Sequence, residues 1–184
     1  MVEFAISSLV LILLLMGLLD LSRAFYYSVN LQGAAREGAR HGAWFNTATR
    51  SNKYLDDDDI MLAVRQAMAG AGFDGATLPV PTQVKTAGCV APTDGNAFNN
   101  KPYPAAAVPA STGQVYVYIC YTSPGGLLQT GTMPTAPLDA SWRLGDINVA
   151  VVMNFALVTP FIQNMFGNGI PLVYNEHFTI QGQP

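Results

Sequence analysis

Side chains that could do chemistry are sparse in this sequence, and their spacing fits none of the common catalytic or metal-binding patterns. Charged residues make up 11% of the 184 residues, and the two histidines, His41 and His177, lie far apart. The sequence contains no HExxH, CxxC, GxSxG or GxxxxGK[ST] spacing. A pair of carboxylates assembled by the fold for glycoside hydrolysis stays open. We expect a protein without enzymatic activity, and we assign no catalytic residue, metal ligand or cofactor.

The densest cluster of possible ligands is a run of four aspartates, Asp56 to Asp59. Clustered carboxylates suit calcium, but a calcium loop spreads its ligands through a longer loop with a glycine turn. The run directly precedes a stretch of helical periodicity from Ile60 to Met68. Aspartates at a helix start cap free N–H groups and favour the positive end of the helix dipole. We therefore interpret the aspartates as helix caps.

The two cysteines, Cys89 and Cys120, lack the close spacing of a metal knuckle. If the body of the protein lies outside the cytoplasm, a disulfide between them is the natural interpretation. It would attach a long loop to a strand. The alternative is two free thiols that are buried as small hydrophobic side chains.

Three charged residues flank the most apolar stretch of the chain. Glu3 stands directly before the uncharged run Phe4 to Leu19, and Asp20 and Arg23 follow it. Each would be costly to bury without a partner. Asp20 and Arg23 are three residues apart and can pair on a helix. Glu3 would need the chain's own amine or a group on another subunit.

The element that positions these residues is one long N-terminal helix. No proline occurs from Val2 to about Trp44, which predicts a rod about 65 Å long, roughly twice the hydrocarbon thickness of a bilayer. Its first half is apolar on all sides, as expected for a helix surrounded by lipid or protein. The uncharged run is slightly short for a membrane span.

The second half of the predicted helix is amphipathic and rich in small residues. Ala34, Gly38 and Gly42 follow each other at intervals of four, so they form a smooth stripe that lets another backbone approach closely. Three charged residues accompany the stripe: Arg36, Glu37 and Arg40. Glu37 can pair with Arg40, which leaves Arg36 for a neighbouring subunit. The alternative is that all three are ordinary solvated charges.

The remainder of the chain predicts a short helix and an antiparallel sheet of about four strands, giving an α+β fold. The strands are expected near residues 78–84, where prolines weaken the pattern, and at residues 113–124, 147–157 and 172–180. Irregular stretches at residues 87–112 and 123–145 separate them. We divide the chain into an N-terminal helix, residues 1–45, and a β-rich domain, residues 46–184.

The net charge is small, and the basic residues are few and scattered. The formal net charge is -3, with nine Lys and Arg residues. Nucleic-acid binding requires a concentrated basic surface, so we do not expect it.

Several motifs resemble one protein family. The opening VEFAI, the GLLDLSRAFYY after the apolar run and the AAREGAR further along are similar to the N-terminal signature of TadE-like tight-adherence pilus proteins, relatives of type IV pilins. The closing stretch, residues 146–181, is similar to the family's pattern of a strand, a Thr-Pro turn, a Gly-rich bend and a last strand. The middle of the chain carries no motif of this kind.

The resemblance implies a type IV pilin-like layout. It implies anchoring in the cytoplasmic membrane, processing by a prepilin peptidase, and insertion by an assembly machinery into a filament of packed helices. Glu3 corresponds to the acid near the processed N-terminus of type IV pilins, although it stands third here and the acid there usually stands fifth. The residues that would serve subunit packing are Glu3, Asp20, Arg23, Ala34, Arg36, Glu37, Gly38, Arg40 and Gly42.

Three functional hypotheses follow. The first is a structural pilin that assembles with identical copies into an extracellular filament on a prokaryotic cell. The second is a membrane-anchored minor pseudopilin or assembly factor. The third and weakest is an anchored enzyme or carbohydrate-binding module, which would need an aromatic groove around Tyr103, Tyr116 or Tyr118.

Overall fold

A computed structural model describes residues 2–46, 51–52, 57–73, 80–83, 108–122, 124, 128–129, 144–159, 163, 167 and 169–181. The fold is α+β, with a long helix, a short helix and a small sheet. In chain order the elements are α1 (Val2–Ala43), β1 (Phe45–Asn46), β2 (Ser51–Asn52), α2 (Asp57–Ala69), β3 (Thr82–Gln83), β4 (Val115–Thr122), β5 (Leu128–Gln129), β6 (Asp146–Ala156) and β7 (Gly169–Thr179). Cys89, Asp56 and Tyr103, as well as most of both predicted irregular stretches, lie outside the described residues.

The predicted N-terminal helix is confirmed as one element of 42 residues. At a rise of 1.5 Å per residue, α1 is about 63 Å long. It ends within one residue of the predicted position. The carbonyl oxygen of Ala43 accepts a hydrogen bond of 3.1 Å from the backbone N–H of Gln181, so the last described segment of the chain satisfies the end of the helix.

The sheet is built on three long antiparallel strands in the order β4, β6, β7. In the register, Val117 lies opposite Val151 and Val151 lies opposite Tyr174. The expectation of about four strands is slightly too high. Within the described part of the weak strand predicted at residues 78–84, β3 has two residues, which pair with β4 in parallel rather than antiparallel orientation. Pro81 directly precedes β3 and is not part of it, as expected for a residue that cannot donate to the ladder.

The last strand begins earlier than its sequence pattern predicted. β7 starts at Gly169, although Pro171 lies within it. Among the described residues β7 pairs on one side only, with β6. A proline is tolerated in such an edge strand because its missing N–H can face away from the ladder.

The hydrophobic core lies between the helices and one face of the sheet. Leu31 and Ala35 of α1, Ile60 and Val64 of α2, and Val149 of β6 are fully buried within it. The alternating face predicted for β6 is confirmed, because its odd-numbered residues line this core. The opposite face of the sheet is also covered, with Tyr118, Cys120, Ala150 and Val152 buried there. The pattern of β4, apolar on both faces, thus matches its environment.

Helix α2 begins at the predicted aspartates. Asp57, Asp58 and Asp59 form its first turn, where their charge complements the helix dipole. The carboxylate of Asp57 also accepts a hydrogen bond of 2.5 Å from the hydroxyl of Tyr121. After the helix, Gly72 adopts a positive φ of 82°, a conformation that ends helices and favours glycine.

Helix α1 is continuous, but its two halves have different surroundings. Residues 3–19 extend from the domain, and we call them the projecting half. Residues 20–43 lie against α2, β6 and β7, and we call them the docked half. In packing terms, the docked half belongs to the same core as the sheet.

Candidate functional site

The projecting half exposes large apolar side chains on every side. Phe4 is 79% exposed and Leu14 is 67% exposed, and the other leucines and isoleucines of this half are exposed too, except Leu13, which is half-buried. In the most apolar 18-residue window of α1, only 6% of the residues are buried, and the helix is long and apolar enough to cross a membrane. Exposing such a surface to water is unfavourable, so it requires lipid or protein partners that cover it.

Asp20 marks the transition between the two halves. It is only 4% exposed, although it lies on a largely exposed part of the helix. One carboxylate oxygen accepts the backbone N–H of Val158 at 3.0 Å, and the other accepts that of Thr159 at 2.9 Å. These two N–H groups lie just after the end of β6. We call this arrangement the Asp20 clamp, since it joins the helix to the sheet by two charge-assisted hydrogen bonds.

Arg23 completes the clamp. Its guanidinium lies 3.4 Å from the Asp20 carboxylate, which confirms that these two residues pair. It also lies 5.3 Å from the ring centroid of Phe155, within the range of a cation–π interaction. Arg23 therefore balances the buried charge of Asp20 and packs on the sheet at the same time.

Sequence reasoning identified Asp20 and Arg23 but missed their partners. Val158 and Thr159 contribute backbone groups, and backbone groups carry no residue-type signal. The only sequence feature near them is the Thr159–Pro160 pair. The carbonyl of Thr159 accepts the N–H of Gln163 at 3.0 Å. The Asp20 carboxylate thus satisfies two backbone N–H groups just after the end of β6.

The small-residue stripe of α1 allows a close approach, and in this chain the approaching elements are α2 and β6. A Cβ atom added to Gly38 would lie 2.5 Å from Cγ2 of Val64, and one added to Gly42 would overlap Cδ1 of Ile147. Ala34 is buried in the same core. These three residues are occupied inside the chain, so their role in contacts between subunits stays a prediction without support from this geometry.

Near its end, α1 carries its charged residues on the exposed side. Glu37 and Arg40 form an ion pair of 2.8 Å, as their spacing predicted. Arg36 is exposed, and no described residue forms an ion pair with it. Its predicted pairing with a neighbouring subunit stays open.

Glu3 lies in the first turn of α1 and is exposed. Its proposed partner within the chain, the terminal amine, belongs to Met1, which lies outside the described residues. The other proposed partner, Arg23 of an adjacent copy, is already paired with Asp20 in its own chain. A role for Glu3 in assembly stays a prediction.

Cys120 lies buried in β4 and is disulfide-bonded. Cys89, the other cysteine of the sequence, lies outside the described residues, so the pairing of the two is stated as a prediction. We expect that the intact protein gains no mass when it is alkylated without reduction. After reduction it should gain the mass of two alkyl groups. Alkylation without reduction would contradict the disulfide.

A buried carboxylate in the sheet has a histidine partner that the sequence pattern did not reveal. Asp146, at the start of β6, is fully buried and lies 2.6 Å from Nδ1 of His177 in β7. Nε2 of His177 lies 3.1 Å from the side-chain nitrogen of Asn175. The pair ties the two strands together. Within the described part of the chain, no group of three or more His, Cys, Asp and Glu side chains could hold a metal ion.

The projecting half, Asp20 and the small-residue stripe all lie in α1, at the start of the chain. Residues 1–40 match the family model for TadE-like protein. This TadE-like segment ends at Arg40, three residues before the end of α1. The match agrees with the family resemblance of the N-terminal motifs, and it implies a protein associated with a tight-adherence pilus. No characterised protein and no solved structure matches the chain.

The match does not extend into the β-rich domain, residues 46–184, which we call the sheet domain below. The second region of resemblance, residues 146–181, forms β6, β7 and their connection, and its relation to the family remains a prediction. The described residues Val158 and Thr159 nevertheless link this region physically to the TadE-like segment.

Proposed function

We propose that this protein is a structural subunit of a tight-adherence pilus. In this proposal the projecting half packs with copies of itself in the filament core, and the sheet domain forms the outer surface. Before assembly the helix anchors the chain in the cytoplasmic membrane, and a prepilin peptidase and an assembly machinery act on it. The role is structural and not enzymatic.

The projecting half carries this proposal. Its large apolar side chains are exposed on all sides, which distinguishes it from a core helix of a soluble domain. A single neighbour would cover one stripe only. Several surrounding helices, or lipid, would cover the whole circumference.

The sheet domain supports the same division of roles. Its core is complete without the projecting half, because α2 and the docked half of α1 cover one face of the sheet. A domain that folds around one half of a helix leaves the other half available for assembly.

The test compares two exposed leucines in the full-length protein. Leu11→Arg places a charge in the projecting half, and Leu62→Arg places the same charge on the exposed side of α2. We expect filaments sheared from producing cells to contain the Leu62→Arg variant and to lack the Leu11→Arg variant. Normal incorporation of Leu11→Arg would contradict packing of the projecting half in the filament.

The alternative, a minor pseudopilin or assembly factor, predicts that the protein is found in a different place in the cell. A filament reconstruction with this chain at every lattice position supports the structural pilin. A chain found in the membrane fraction, with filaments made of another protein, supports the alternative. Glu3→Gln in the same cells tests whether the N-terminal acid is needed for incorporation.

A further inference from the structure

The exposed apolar surface of α1 continues beyond its first buried charge. Leu18, Leu21, Phe25 and Val29 follow one another at spacings of three and four, so they lie on one face of the helix. Leu21 is 66% exposed and Phe25 is 70% exposed. We call these four residues the outer stripe. The sheet domain does not cover it.

The charged residues beside the outer stripe are turned away from it or compensated. Asp20 is buried in the clamp with Val158 and Thr159. Arg23 is partly exposed, but it is paired with Asp20 and lies over Phe155. A long arginine side chain can also reach towards polar surroundings while its stem stays in an apolar environment.

Among the described residues, those of the sheet domain next to the clamp are uncharged. No Asp, Glu, Lys or Arg occurs from Ile147 to Asn175. Val158, which lies at this end, is more than half exposed. The described part of the domain therefore presents an uncharged end beside an apolar helix face.

Hydrogen bonds satisfy several backbone groups of the described residues at this end of the domain. The Asp20 carboxylate accepts the N–H groups of Val158 and Thr159. The Gln163 amide donates to the carbonyl of Leu157 at 2.5 Å, and its backbone N–H donates to the carbonyl of Thr159. Irregular backbone is tolerated at membrane depth only when its polar groups are satisfied within the protein.

The length of the apolar surface matches a bilayer when the outer stripe is included. The uncharged run from Phe4 to Leu19 spans only about 22 Å at 1.5 Å per residue, which is short of a hydrocarbon core of about 30 Å. From Phe4 to Tyr26 the helix spans about 33 Å. Tyr26, which is exposed, lies where tyrosines concentrate at membrane interfaces.

We propose that, before assembly, Leu18, Leu21 and Phe25 of the outer stripe contact lipid and the outer boundary of the hydrocarbon core lies at Phe25–Tyr26. The Asp20 clamp and the Val158 end of the sheet domain then lie within the outer leaflet and not above it. The clamp allows this depth because it hides a carboxylate and two N–H groups from lipid. This inference rests on the membrane anchoring in the proposed function, and it assigns the sheet domain a membrane-contacting end.

The test measures depth with spin labels on single cysteines in the full-length protein. Leu11→Cys reports the projecting half, Phe25→Cys the outer stripe, Val158→Cys the end of the domain, and Arg36→Cys the aqueous side. All four positions are exposed in the single chain, so protection by its own fold does not confuse the result. The protein with no added cysteine is the background control, and near-ultraviolet circular dichroism checks that each variant is folded.

The labelled proteins are reconstituted at low protein density in vesicles of phosphatidylcholine and phosphatidylglycerol. Collisions with oxygen report lipid, and collisions with a water-soluble nickel complex report water. We expect labels at positions 25 and 158 to collide with nickel several-fold less often than the label at position 36, with oxygen collisions as frequent as in lipid.

Three other results would overturn the inference. Nickel accessibility at positions 25 and 158 equal to that at position 36, with position 11 protected, places the boundary near Asp20 and leaves the anchor intact. Low accessibility to both reagents with dipolar broadening between labels means that a second copy covers the outer stripe. Nickel accessibility at position 11 means that the membrane anchor itself is absent.

Discussion

The projecting and docked halves of α1 use residue size in opposite ways. In the projecting half, large aliphatic side chains such as Leu14 are exposed. On the buried face of the docked half the residues are mostly small, as Ala35, Gly38 and Gly42 show. The difference follows from the partner: the chain's own sheet and α2 approach the docked half closely, whereas lipid or other chains must cover the projecting half. The size of the side chains along α1 thus indicates whether each part contacts the chain's own sheet or a partner outside the chain.

The largest expected difference between the halves is the effect of removing a leucine. Leu31→Ala empties a fully buried site in the docked half and should lower the free energy of unfolding by about 2–5 kcal/mol. Leu14→Ala, in the projecting half, should change it by less than about 0.5 kcal/mol. Denaturant unfolding of the full chain in detergent measures both. Equal losses would mean that the projecting half is part of the folded core.

The Asp20 clamp joins the halves, so its removal should have the next largest effect. Asp20→Ala leaves the buried N–H group of Thr159 and the partly buried one of Val158 without an acceptor and should cost about 2–4 kcal/mol. Hydrogen exchange should accelerate at Val158 and Thr159. Asp20→Asn retains an acceptor oxygen and should lose less. An unchanged exchange rate in Asp20→Ala would show that the clamp does not hold the end of β6.

Alanine substitutions at two glycines of the docked half should change the free energy of unfolding in opposite directions. Gly42→Ala should destabilise the domain by about 1–3 kcal/mol, because the new methyl group overlaps Ile147 and Ile60. Gly33→Ala should stabilise it by up to about 1 kcal/mol, because its side chain enters open space and alanine favours helix. Thermal unfolding of the two variants under one condition checks the signs. Stabilisation by both would contradict the close contact at Gly42.

The smallest effect concerns pH and lies outside α1. Burial raises the pKa of Tyr118 to about 12, with a smaller contribution from Tyr116. The unfolded phenol ionises near 10, so the stability from the neutral phenol is complete below pH 10 and is lost as pH rises towards 12. At pH 11 the loss should be on the order of 1 kcal/mol.

Tyr118→Phe is the control for this pH dependence. The fall in the free energy of unfolding between pH 9 and pH 11 should be smaller in the variant than in the unchanged protein. The same fall in both would mean that Tyr118 is not the group responsible.

Sequence patterns predicted the local elements of this fold well. The absence of proline predicted α1, alternation predicted β6, and the aspartates predicted the start of α2. These features depend on neighbours within a few residues. The strand near residue 80 was predicted less well, since its pairing with β4 depends on residues more than thirty positions away.

The candidate site was predictable in its side chains and not in its partners. The spacing of Asp20 and Arg23 revealed their pairing. It could not reveal that Asp20 accepts N–H groups from a segment 138 and 139 residues further along. The stripe of Gly38 and Gly42 likewise indicated a close approach, but only the fold shows that β6 and α2 make it.

The continuity of α1 has a mechanical consequence. A pull on the projecting half acts along the axis of the docked half, because one helix contains both. Three contacts are spread along that axis: the clamp at Asp20, the packing at Leu31 and the hydrogen bond between Gln181 and Ala43. The pull therefore acts on all three at once, as a shear force. The domain could not be peeled from its helix one contact at a time, and tension on the rod would be shared by the whole core.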